Sequence, residues 1–541
     1  MGVACSTANG VSIHLSVFCQ VTVAQPIQSH NYYSEGKQHS PAIAMQLTLT
    51  LLPVALAAAV AYFIAFQVTV YRRRRSHGCK PAPHAMAWDP IFGLKHATAL
   101  HKAIRNHRNL EYFDKMFKSY GNTFEVGLLG NLMHVTCDPE NIKAILATKF
   151  ADWDMGPRRR WATFEFVGVG IFAADGQDWV HARTAARPQL ARSYFADTAV
   201  WEKHLQIWFE SLRGQNPPGS LVELQEWTQR FMVDVGTEML SGRPLDVLTE
   251  ERAHVGRRFL WALDRANTMI SERLRAGKMS FLVRDGQLQE ARRVLHEGVD
   301  PFVMEAIRDH KEGSYVEDDN KYTVPRALAA EGVPLEQIRD HVLNLLLAAV
   351  GSEASLISTL FFVMARYPEV QEKLRQEMSN TLEGDRMPTY DDVRNMKYLN
   401  WVIKEVLRVY PPVPQNLRVA NKDTILPVGG GPDGRSPVFI PKGHECSSRP
   451  TRFIDAKTCG ARIPLTSGLS VGRRRGRRGA TSRSVVVLAS VSQLALVGAG
   501  YVLLRFMQQY PTFKGPQPIQ EWEEKLNITC FVNNGVWVNI G

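Results

Sequence analysis

From Leu47 to Tyr71 the chain runs for twenty-five residues without a charge, and as a helix this run would span roughly 37 Å. That exceeds the ~30 Å hydrocarbon core of a bilayer. Arg72 to Arg75 follow directly, and this cationic flank places the remainder of the chain on the cytosolic side. A cleaved signal peptide is the competing reading. It fits poorly, because no small-residue cleavage site follows and the charge lies on the wrong side of the apolar run. The pattern therefore predicts a membrane anchor over 45–71. Residues 1–44 show neither periodicity nor a targeting pattern, and Met45 stands directly before the apolar run. Met45 is the expected start, with 1–44 a non-native or disordered extension.

After the anchor, residues 72–84 form a basic, proline-bearing hinge in which Cys79-Lys-Pro81-Ala-Pro83 is stiff. From about 95 to 415 the apolar spacing is mainly helical, broken by brief strand patterns at Thr123–Leu128 and Met133–Cys137. The longest predicted helix begins at Pro334, a residue favoured in a first turn, and reaches Tyr367 before Pro368. At that length it would extend roughly 51 Å and cross an entire domain. No internal repeat is evident. The expectation is a mainly α fold with small β-sheets, a single large domain over 85–445 that resumes at 493–541.

Composition alters this picture at one place. Of 541 residues 45% are apolar, enough for a sizeable core. The seven cysteines (5, 19, 79, 137, 446, 459 and 530) show neither CxxC nor paired zinc spacing, which argues against a disulfide scaffold and for a reducing compartment. The net charge of +11 suggests nucleic acid until it is located. Residues 446–492 hold nine Arg and one Lys against one Asp, a net of +9, leaving +2 for everything else. The bulk of the chain is close to neutral, and no nucleic-acid partner is expected.

The richest stretch for chemistry is K-E-V-L-R-V-Y-P-P-V-P-Q-N-L-R at 404–418. Glu405 and Arg408 are three apart, so on a helix they share a face and pair. A buried pair of this kind fixes an architecture rather than adding stability. Tyr410 closes the helix, the proline run stiffens the next segment, and Arg418 comes after the prolines. Trp179 and Arg183 stand four apart, which places an aromatic and a cation on one helix face. Taken alone, they read as a core tryptophan beside a surface arginine. The long helix carries L-L-L-A-A-V-G-S-E-A-S-L at 345–356, which alone reads as a buried helix with a polar notch. Pro427-Val-Gly429-Gly-Gly-Pro-Asp-Gly434-Arg-Ser-Pro437-Val-Phe-Ile-Pro-Lys442-Gly is a glycine-rich hairpin.

Together these motifs resemble the cytochromes P-450, the haem-thiolate monooxygenases. The hairpin, the hinge Gly78-Cys-Lys-Pro and Asp175-Gly-x-x-Trp179-x-x-x-Arg183 are similar to the fungal alkane and fatty-acid hydroxylases within that family. The resemblance covers about 45–445 and resumes at 493–541, where Ala499-Gly-Tyr-Val-Leu-Leu-Arg505-Phe continues a family helix. It implies haem b, held through one propionate by Trp179 and Arg183 and through the other by Arg418. It implies that Glu405 and Arg408 form the family's structural pair. The family's oxygen-activating segment reads Ala/Gly-Gly-x-Asp/Glu-Thr. Here Ala349 replaces the groove glycine, Gly351 falls where the acid belongs, and Ser352 stands for the threonine. Glu353 comes two residues late, rotated about 200° around the helix. Ser352 and Glu353 are the catalytic candidates. The implied partners are an NADPH-dependent flavoprotein reductase, membrane lipid and an apolar long-chain substrate. The implied setting is the endoplasmic-reticulum membrane, crossed once, with the catalytic domain cytosolic.

Between Glu445 and Gln493 the resemblance vanishes. G-R-R-R-G-R-R-G does not suit a buried core, and Phe453 is the only aromatic residue. An arginine-rich tract for RNA or anionic lipid is one reading. Reading the codons one base earlier gives another. Ile454 to Thr458 then permit H-R-R-K-D, and Thr466 to Arg473 permit D-F-R-P-E-R-W-E. Thr481 to Ser492 permit Y-L-P-F-G-G-G-P-R-I-C-L, which contains F-x-x-G-x-R-x-C, the family's haem-binding signature. Residues 446–492 thus look translated out of frame. The ligand cysteine is expected at Val491 and is absent, so no metal ligand is assigned. A haem-free product without catalysis and a membrane-tethered nucleic-acid or lipid binder are the alternatives.

Overall fold

The long helix organises the structure. It runs from Leu335 to Arg366 with Pro334 as its N-cap, one residue shorter at each end than its sequence pattern predicts. Pro368 opens the next helix and so forces the break at Tyr367. In this computed structural model residues 41–85, 93–188, 198–313, 322–449 and 492–541 are described. Among the described residues, the long helix alone has the length and apolar character to cross a membrane. Its most apolar window is 78% buried within protein, so it is a core helix. It packs along the Leu224–Ser241 helix, where Gly236 leaves room for Leu346 and Val350 to close in.

Around it an aromatic cluster fills the core. Trp208 meets Phe506 at 4.5 Å between ring centroids, and Phe361 meets Phe506 at 4.7 Å. Phe506 belongs to the Ser492–Gln509 helix, whose seating depends on particular residues. A Cβ on Gly498 would lie 2.4 Å from Trp201, so only glycine lets that helix approach. Arg505 grips Glu202 with two nitrogens at 2.9 and 2.7 Å, and the Tyr501 hydroxyl donates to the same carboxylate at 2.7 Å.

Small sheets complete the fold. The largest has the strand order Thr123–Leu128, Asn131–Thr136, Glu445–Ser448, Asn416–Ala420, Trp153–Asp154. The second strand starts two residues before its predicted beginning at Met133. The Glu445–Ser448 strand pairs parallel to Asn131–Thr136 and antiparallel to Asn416–Ala420. It runs past the expected break at 446, and the Arg449 amide still donates to Thr136 at 2.9 Å. Cys446 is therefore an inward strand residue. Backbone pairing on both sides and small side chains suit a buried middle strand.

The hinge is held by backbone bonds. The Lys80 amide donates to Pro437, and the Gly431 amide donates to Pro81. A Cβ on Gly430 would lie 2.5 Å from the Lys80 carbonyl, which explains a glycine at that approach.

The chain divides into two compact units, one up to Val68 and one from Thr69 to Gly541. The N-terminal helix runs from Pro41 to Ser76, longer at both ends than the predicted anchor. Val54, Val60, Tyr62 and Ile64, which point in different directions around the helix, are all exposed.

Candidate functional site

The Lys397–Val409 helix places Glu405 and Arg408 on one face. Their carboxylate and guanidinium meet through two bonds of 2.8 and 2.7 Å, with Glu405 buried and Arg408 half-buried. Tyr410 ends the helix and lies 4.3 Å from the Trp522 ring. The Pro412 carbonyl then accepts from the Cys530 amide, which ties the proline run to the C-terminal strands.

Arg418 lies on the Asn416–Ala420 strand and is only 9% exposed. Its Nη1 donates to Asn416 Oδ1 at 2.6 Å and to the Leu417 carbonyl at 2.9 Å. Burial first, then the Arg159 guanidinium beside it, pulls its pKa down to about 9. Arg159, in the first turn of the Pro157–Val167 helix, is pulled down by burial to about 10. Asp175 is the carboxylate facing both, and its two oxygens already accept from the Met155 and Gly156 amides at 2.6 and 2.9 Å. With Arg418 buried, Arg159 half-buried and their one facing carboxylate already committed to backbone amides, the arrangement can accept further anions.

The sequence pattern did not single out Arg159. Arg158, Arg159 and Arg160 are about 100° apart on a helix and so point three ways. Arg158 pairs with Glu445, Arg159 turns inward and Arg160 is exposed. A helix start at Pro157 was the available signal, because it separates the faces of the three arginines.

Trp179 and Arg183 share the Gly176–Ala186 helix and do touch, with the guanidinium 5.1 Å above the ring. Trp179 is half-buried against Phe150 at 5.3 Å, while Arg183 is exposed. The inward guanidinium near Arg418 is that of Arg159.

On the long helix Leu345, Ala348, Ala349 and Ser352 are half-buried while most of the helix is sealed. Their spacing of three and four puts them on one face, the more open face of the helix over 345–352. Ser352 Oγ donates to the Ala348 carbonyl at 2.7 Å. Glu353 is not on that face. It is 3% exposed, its Oε1 has no hydrogen-bond partner, and burial pushes its pKa up to about 8. Gly351 and Ser355 face the C-terminal strands, where Thr529 approaches Gly351 and Ser355 donates to Cys530.

The residues fit the periphery of a haem but not its iron. The Arg159–Arg418 cluster suits carboxylates, and the open face of the long helix is apolar apart from one hydroxyl. Among the described residues, Cys79, Cys137, Cys446 and Cys530 are buried reduced thiols. Burial pushes Cys446 up to about 12 and raises Cys79, so both resist becoming thiolates. Cys530 has its backbone built into strand pairing. No group of three His, Cys, Asp or Glu that would hold a metal occurs among the described residues. Val491 and the arginine-rich tract lie outside them.

Residues 89–451 match the family model for cytochrome P-450. The chain is 34% identical to the cytochrome P-450 monooxygenase himC of Aspergillus japonicus, over 92% of this chain and 90% of that one. It is 31% identical to the cytochrome P-450 monooxygenase fsdH of Fusarium heterosporum, covering 93% and 92%. Similarity to the cytochrome P-450 52A13 of Debaryomyces hansenii is 28%, covering 89% and 95%.

Proposed function

We propose a substrate class and a setting for this enzyme: the chain belongs to the cytochrome P-450 family, so it is a haem-dependent monooxygenase and an oxidoreductase. The proposed reaction inserts one oxygen atom into a C–H bond of an alkane or fatty acid. Electrons come from NADPH through a flavoprotein reductase, at the endoplasmic-reticulum membrane. When bound, haem supplies the activation of dioxygen. The chain's own residues bind, orient and exclude water. Arg418 and Arg159 hold the anionic edge of the cofactor. Leu345, Ala348 and Ala349 offer a long-chain substrate an apolar wall, and Ser352 presents the one hydroxyl on that wall. Trp179 and Arg183 pack over each other, with Arg183 at an exposed position outside the cradle.

The observation that carries this reading is the apolar character of two surfaces. The open face of the long helix has a single polar side chain. The N-terminal helix exposes Val54, Val60, Tyr62 and Ile64 on several sides, a pattern suited to lipid rather than water. A membrane anchor delivers the enzyme to substrates that partition into lipid. The glycine-rich hairpin resembling the fungal alkane and fatty-acid hydroxylases supports the same class.

The test is saturable binding of radiolabelled palmitate to the full chain in nanodiscs, with competition by dodecane and by a polar aromatic acid. Saturation with displacement by dodecane supports the reading. Binding that does not saturate, or that only the polar acid displaces, refutes it.

A further inference from the structure

Two parts of this chain disagree. Arg418, buried in its strand with Arg159 and Asp175 beside it, suits the carboxylates of a porphyrin, while Cys446, directly opposite it in the sheet, is sealed between two paired strands. The two ends of the arginine-rich tract show where the disagreement arises. On its N-terminal side Cys446 lies opposite His134 and Arg418 in the sheet, and strand pairing holds to Ser448. On its C-terminal side the seating of the Ser492–Gln509 helix needs particular residues. Gly498 must lack a Cβ beside Trp201, Gly500 would meet Val393 at 2.7 Å, and Arg505 must fork onto Glu202. A stretch read in the wrong phase would not supply glycines and an arginine at these places by chance.

We infer that the reading phase is lost after about residue 449 and recovered before Gly498, through two compensating offsets, and that this polypeptide carries a porphyrin cradle without its sulfur ligand. The displaced stretch therefore begins later than the break at 446 that the sequence alone suggests. Read one base earlier, the codon at Val491 gives cysteine within F-G-G-G-P-R-I-C-L, directly before the helix that opens at Ser492. The inference rests on family membership and not on the proposed substrate, so the palmitate experiment and the tests of reading phase fail independently.

The cheapest test is nucleotide sequence. An amino acid leaves most third bases of its codons open, so the bases behind Arg483 to Val491 are an independent check. They are expected to spell the glycine-rich signature when read one base earlier. Third bases that spell anything else overturn the inference.

The protein test uses three full-length forms: the chain as written, Val491→Cys, and a restored chain translated one base earlier between the two offsets. Each is titrated with metal-free protoporphyrin IX and then loaded with haem for its reduced carbon-monoxide difference spectrum. The restored chain is expected to show the thiolate band, and to lose it when its new thiol is replaced by alanine. The other two forms are expected to lack the band. A thiolate band from the chain as written overturns the inference. So does a restored chain without the band, whether or not it binds the iron-free porphyrin.

Discussion

Glu353→Gln isolates the cost of one buried carboxyl. Burial raises this group from its ordinary 4.5 to about 8 in the folded chain. The unfolded chain keeps the ordinary value, so between the two pH values the native state binds the extra proton. Stability therefore falls as pH rises through that window, and is flat above it. A gap of this size corresponds to roughly 5 kcal/mol above about pH 8, of which about 3 kcal/mol is already lost near pH 7. Glutamine keeps the shape and cannot ionise, so the variant gains about these amounts over the parent, less what its amide loses by burial beside no partner. Urea unfolding in nanodiscs at pH 5, 7 and above 8 gives the comparison. The parent midpoint is expected to drop across the series relative to the variant, with the two similar at the acid end. Parallel pH profiles would refute the claim that Glu353 is neutral in the folded core.

Other perturbations test other parts of the structure. Arg505→Met leaves Glu202 buried without its fork and is expected to destabilise by about 3 kcal/mol, read by thermal unfolding. Gly498→Ala presses on Trp201 and is expected to cost about 1–3 kcal/mol in the same assay. Arg418→Gln and Arg159→Gln are each expected to weaken iron-free protoporphyrin IX roughly tenfold, about 1.4 kcal/mol, and to leave its dimethyl ester little changed. Arg183→Gln, at an exposed position, is expected to leave both porphyrins bound as in the parent. Equal losses from Arg183 and Arg418 would contradict the placement of the cradle.

What could be read from sequence was whatever depends on spacing within one element. Glu405 with Arg408, and Trp179 with Arg183, are pairs on single helices, and both pairs form. The long helix announced itself through uninterrupted apolar spacing between two prolines, and its ends came within a residue. What depends on contacts between distant elements was not legible. Arg159 is one of three adjacent arginines, and only the pairing of the preceding Trp153–Asp154 strand with Asn416–Ala420 brings the start of its helix near Arg418. Cys446 stands beside an arginine-rich stretch in sequence, and its place between two paired strands comes from residues about 30 and 310 positions earlier. Ser352 and Glu353 are neighbours in sequence, but the helix turns one to the open face and the other into the core.

The central claim is a haem cradle lacking its sulfur, and the reduced carbon-monoxide difference spectrum of the full chain reconstituted with haem tests it most directly. The account predicts a bound, reducible haem whose carbon-monoxide complex lacks the thiolate band. A thiolate band from this polypeptide as written would contradict it.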